Sequence, residues 1–125
     1  MPGPSGRRLS RSVRSPGDDP VKRGEVWWVE RPGVGRRPHL VLTRDAAVPV
    51  LNSVLAIPAT RTIRGIASEV ELDRENGMPA HCALSLDNAR VLRKAYFVDR
   101  ICSLDTLKMA EVCRALEYAT GCDGL

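Results

Sequence analysis

The sequence predicts an α+β domain that is mainly β: a small barrel or curled sheet with one C-terminal helix. Three observations lead there. Strand-like segments recur every 10–15 residues with Pro, Gly and Asn turn chemistry between them, too closely spaced for βαβ units. A helical apolar stripe occurs once, near the end of the chain. The length of 125 residues, 43% of them hydrophobic, suits one modest core.

The elements follow in order. Residues 1–20 hold Pro, Gly, Ser or Arg at 15 of 20 positions, which predicts a disordered tail ahead of a domain at 21–125. Glu25–Glu30 (EVWWVE) is β-branched and aromatic and apolar on both faces, as a covered strand should be. Arg31–Arg37 is rich in Pro, Gly and Arg and reads as a loop. His39–Thr43 and Val54–Ile57 read as buried strands, Ser68–Leu72 as a half-exposed one, and Cys82–Leu86 as another. The basic stretch Arg90–Lys94 leads into a last strand at Tyr96–Ile101. Asp105 can cap a helix whose stripe is Met109, Val112, Cys113, Leu116 and Ala119, with Gly121 as its C′ residue.

Composition removes several function classes. No apolar run approaches the roughly 20 residues of a membrane-spanning helix, and residues 1–20 contain no signal-peptide core. Cys82, Cys102, Cys113 and Cys122 stand 20, 11 and 9 residues apart, with no CxxC and no finger-like His pair, so no metal site is expected. Reduced thiols in a cytoplasmic protein are the expectation, with a Cys113–Cys122 disulfide as the alternative. The net charge of +4 permits a polyanionic partner. Half of it sits in the tail, whose four Arg face two Asp. Two Trp, two Tyr and one Phe are too few to serve both a core and a base-stacking platform.

Chemistry-bearing motifs are sparse: GxSxG, HExxH and phosphate-binding Gly loops are all missing. What remains is Gly35-Arg36-Arg37-Pro38 entering one strand and Ile57-Pro58-Ala59-Thr60-Arg61 leaving the next. A guanidinium is a planar fork of donors that matches phosphate oxygens, and a threonine hydroxyl adds a neutral donor. Neighbouring strand ends carrying both can clamp a phosphate; solvated loops have the same composition.

At these residues the chain resembles the MazF/PemK toxins. Arg23–Val29, Gly35–Leu42, Ile57–Thr60, Glu69–Leu72, Asn76-Gly77, Leu86-Asp87-Asn88 and the terminal Leu/Met/Ala helix match that family's successive blocks, in actinobacterial style, over residues 22–121. The resemblance implies an SH3-like, CcdB/MazF-type β-barrel with a C-terminal helix, acting as a homodimer. It implies the toxin half of a type II toxin–antitoxin pair: a cytoplasmic, sequence-specific endoribonuclease on single-stranded RNA, needing neither cofactor nor metal and held by a MazE-like antitoxin. Carried over by motif, Arg37 and Thr60 are catalytic, and Asp87 is catalytic or substrate-orienting. Arg36, Arg61, Arg64 and Asn88 are the RNA-binding candidates. Arg36, Arg37, Arg61 and Arg64 are expected in loops that the barrel brings together.

Departures from the family pattern are His39, where an aliphatic residue is usual, Cys82 for a frequent Ser, and a short Arg31–Arg37 loop. Trp27 and Trp28 are expected in core or dimer packing. Two other readings keep the fold: a CcdB-like poison of DNA gyrase, and a non-enzymatic SH3-like binding module. The first lacks its usual Trp-bearing C-terminal tail here, since the chain ends Gly121-Cys122-Asp123-Gly124-Leu125. The second is disfavoured by the few aromatics.

Overall fold

The computed structural model describes residues 21–122; the expected disordered tail at 1–20 lies outside them, as do residues 123–125. Seven strands form one antiparallel sheet: β1 (Glu25–Arg31), β2 (Gly35–Val41), β3 (Ser53–Thr60), β4 (Glu69–Leu72), β5 (Cys82–Ser85), β6 (Arg90–Arg93) and β7 (Phe97–Ser103). Their order is β4-β5-β3-β2-β1-β7, and β6 also pairs with β3. The branch arises because β3 serves two partners along one edge: Ser53–Ala56 pairs with β6, and Ala59–Thr60 with β5. Register shifts between β1 and β7 add twist at the other side. The result is a half-barrel closed by α1 (Thr106–Thr120), mainly β as the sequence predicts.

Apolar residues pack on both faces of the curled sheet, which accounts for the doubly apolar EVWWVE segment. Val26, Leu40, Ile57, Leu72 and Leu84 share one cluster with Val112 and Ala115 of α1. Trp27, Val29, Val41, Val54, Leu92 and Phe97 form the second. The helix lies against β4 and the turn Leu86–Asn88. Its inward residues Met109, Val112 and Leu116 belong to the expected stripe, and Ala115 joins them. All four cysteines are free thiols. Among the described residues no helix is long and apolar enough to cross a membrane.

Local signals placed the helix ends correctly. The Asp105 carboxylate accepts from Lys108 N–H at 2.8 Å, and Gly121 closes the helix with φ of 77°. Asp105→Ala should lower unfolding free energy by about 1 kcal/mol, read as a shifted urea midpoint at constant slope.

One expectation needs correction, and one strand has no counterpart in the sequence reading. The Arg31–Arg37 loop shrinks to a tight turn at 32–34, so Arg36 and Arg37 lie on β2, opposite Glu30 and Val29. The basic stretch Arg90–Lys94 is largely a strand, β6, with Leu92 buried and Val91 exposed. Its composition looks like a loop because alternation is masked by three cationic side chains; pairing with β3 decides its state.

Candidate active site

Strand alternation sorts the basic residues before any cleft is considered. On β2, Arg37, His39 and Val41 share one face, while Arg36, Pro38 and Leu40 share the other. The β2–β3 ladder pairs Val41 with Ala56, Leu40 with Ile57, and His39 with Pro58. That last pair lies two positions short of Arg37 on β2 and of Thr60 on β3. Pro38 and Pro58 have no N–H to donate, so the ladder ends there. A cleft of about 430 Å³ occupies the space where the strand ends part.

Arg37, Thr60 and Arg61 line this cleft together with Trp28, Arg36 and Pro38, and Ala59, Met78, Pro79, Ala80 and Cys82 complete it. Arg37 is exposed and has no carboxylate partner among the described residues. The Thr60 hydroxyl oxygen accepts from Thr62 N–H at 3.1 Å, which fixes the rotamer and leaves the hydroxyl proton free to donate. Burial pushes the Cys82 thiol above its ordinary value, so it stands in the cleft as an inert apolar group.

The other predicted residues divide. Arg61 is an exposed cation on the cleft wall. Arg36 also lines the cleft, but its guanidinium binds Glu30 at 3.2 Å and Asp99 at 2.8 Å and stacks on Trp28 at 5.1 Å. Its charge is already compensated. Arg64 is turned to Glu69, 3.9 Å away, whose carboxylate also accepts from the Arg64 and Gly65 N–H groups. Asp87 accepts from Ser68 Oγ, and Asn88 Nδ2 donates to Ser85 Oγ at 2.7 Å. Neither Asp87, Asn88 nor Arg64 lies on the cleft wall, and Asp87 makes no ion pair with Arg37.

Trp27 is buried as expected, whereas Trp28 faces the cleft beneath Arg36. The signal for this was strand alternation: of two consecutive residues on one strand, only one can enter the second core. His39 takes the buried place of an aliphatic residue, 2% exposed. Burial pushes its imidazole down to about 4, with the nearby Arg90, Arg31 and Arg37 adding to the effect and the Arg37 carbonyl opposing it. Among the described residues no group of three His, Cys, Asp or Glu side chains is placed to hold a metal ion.

Comparison with known proteins agrees with this architecture. The chain is 46% identical over 101 residues to "Probable endoribonuclease MazF5" of Mycobacterium tuberculosis, covering 80% of this chain and 93% of that one. The solved structure of Mycobacterium tuberculosis toxin MazF-mt6 matches with a TM-score of 0.72 at 28% identity, covering 78% of this chain and 96% of that one. An endoribonuclease in complex with its cognate antitoxin, from a mycobacterial species, matches with a TM-score of 0.74 at 25% identity, over 81% and 95% of the two chains. A family model spans residues 22–120, from just before β1 to the end of α1. With that match across the whole described fold, the chain belongs to the PemK-like, MazF-like toxins of type II toxin–antitoxin systems.

Proposed function

We infer that this toxin is an endoribonuclease that cuts single-stranded RNA at specific sequences, without a metal, in the cleft between β2 and β3. The observation that carries the reading is that Arg37 and Thr60 line one cleft beyond the end of the β2–β3 ladder, with no ion pair on Arg37 among the described residues. RNA supplies its own nucleophile. The ribose 2′-oxygen bonds to the adjacent phosphorus as its proton passes to water in the open cleft. The bond from phosphorus to the 5′-oxygen breaks, and that oxygen takes a proton. The products are a 2′,3′-cyclic phosphate and a 5′-hydroxyl. Negative charge grows on the non-bridging oxygens, where a guanidinium fork and a hydroxyl donor stabilise the transition state more than the ground state. Arg37 stays protonated near neutrality, so its contribution is electrostatic.

Arg61 and the Trp28 face of the cleft contact the strand on either side of the scissile phosphate. Arg36 supports Trp28 instead of binding phosphate freely. Asp87 and Asn88, held by Ser68 and Ser85, act on substrate outside the Arg37–Thr60 pair. Relatives named as probable endoribonucleases at 41–46% identity support the activity, and the solved complexes with a cognate antitoxin and of MazE with MazF support a MazE-like antitoxin partner. We also read the active form as a cytoplasmic homodimer.

The test is cleavage of a defined single-stranded RNA in excess EDTA. Full activity is expected there, and Thr60→Val should slow single-turnover cleavage roughly 10²-fold. Loss of cutting on chelation overturns the metal-free mechanism.

A further inference from the structure

A second, smaller cavity of about 120 Å³ shares Arg36 and Arg37 with the cleft and is also lined by Val29, Arg31, His39 and Arg90 among others. Three strands supply its cations: Arg31 from β1, Arg36 and Arg37 from β2, and Arg90 from β6. Arg36 is ion-paired with Glu30 and Asp99, whereas Arg31, Arg37 and Arg90 have no ion pair among the described residues. Burial first, and then Arg31 and Arg37, push Arg90 below its ordinary value. Three unpaired like charges gathered in one place are a cost that an anion would reduce.

His39 provides an independent sign. It is buried, and its Nε2 has no hydrogen-bond partner, an expensive state for a buried polar atom. Its Nδ1 lies 3.2 Å from the Arg37 carbonyl, which can only accept, so Nδ1 carries the proton of the neutral ring. Nε2 is therefore the bare nitrogen. With an anion beside it, this nitrogen can take a proton from solvent and donate it, satisfying both ends of the ring at once. The charged groups facing the ring are Arg31, Arg37 and Arg90; β3 contributes only the uncharged Pro58 opposite it.

We propose that this cavity is an oxyanion site for a second RNA phosphate, adjacent to the one clamped by Arg37 and Thr60. Its volume is several times the roughly 10–15 Å³ that one water needs and admits a tetrahedral oxyanion. Arg36 and Arg37 line both spaces, so neighbouring phosphates of one strand can occupy the two. The assignment of RNA as occupant rests on the endoribonuclease reading; the anion site itself does not.

The test uses the full chain with sulfate, which does not titrate near neutrality, at constant ionic strength. His39 ring resonances are followed by NMR, with exposed His81 as the internal control. Sulfate should shift His39 saturably, raise its titration midpoint by one unit or more, and leave His81 unchanged. Arg90→Met and Arg31→Met should each weaken sulfate binding about tenfold, with folding verified by thermal unfolding. A His39 signal indifferent to sulfate, or wild-type binding in both variants, overturns the anion site. A second arm uses RNA made uncleavable by a 2′-deoxy substitution at the scissile position. Arg90→Met should weaken its binding about tenfold and lower the salt slope by about one. Unchanged RNA binding with lost sulfate binding overturns the RNA occupant alone. Sulfate binding by a protein that cuts no RNA would instead overturn the activity and leave the anion site standing.

Discussion

Arg37→Ala is expected to reduce single-turnover RNA cleavage by roughly 10³-fold or more while the protein stays folded. The guanidinium is exposed, pairs with no described carboxylate and packs into neither core cluster, so its loss should change stability by no more than about 0.5 kcal/mol. The catalytic loss is large because the transition state gathers charge on oxygens that a two-pronged cation meets in a partly enclosed cleft. Arg37→Lys keeps the charge and loses the fork, so it should recover only part of the rate. Arg36→Ala makes the useful contrast. Its guanidinium is spent on Glu30, Asp99 and Trp28, so a smaller loss is expected, accompanied by measurable destabilisation. Cleavage by Arg37→Ala within tenfold of wild type would remove Arg37 from the mechanism.

The second large effect is on stability. Gly77→Ala should cost about 2–4 kcal/mol, combining a left-handed backbone with overpacking. Gly77 ends the turn that follows the Asp73–Asn76 capping box, with φ of 101°. A Cβ there would stand 2.6 Å from Cys102 Cβ on β7, a contact that real side chains do not make. Gly65→Ala isolates the two causes. Gly65 also has a positive φ, 69°, but nothing lies within 4 Å of its added Cβ. It should lose only the backbone part, about 1 kcal/mol. Equal losses in the two variants, measured by urea unfolding, would sink the role assigned to Cys102. Met78, Pro79 and Ala80 follow Gly77 directly and wall the cleft, so Gly77→Ala should also slow cleavage.

The elements legible in the sequence are those whose signals are local. Asp105, the apolar stripe and Gly121 specify α1 almost to the residue, because capping and helical periodicity act within a few positions. Asn76-Gly77 marks its turn for the same reason. β6 was missed because nothing within Arg90–Lys94 distinguishes a strand from a solvated loop; the free edge of β3 makes the difference. β2 was read too short because Gly35, Arg36 and Arg37 look like loop residues, while pairing with β1 extends the strand over them.

The site divides the same way. By itself the sequence determined the fold class and the single helix, because these follow from periodicity and turn chemistry; Arg37 and Thr60 stood out as the pair to examine through the family resemblance. The tertiary structure alone decided which cations remain free. Arg36 meets Asp99 across 63 positions of chain, Arg64 turns to Glu69, and Arg90 arrives beside His39 by strand pairing. Charge compensation depends on distance in space, and a curled sheet sets those distances through partners far apart along the chain.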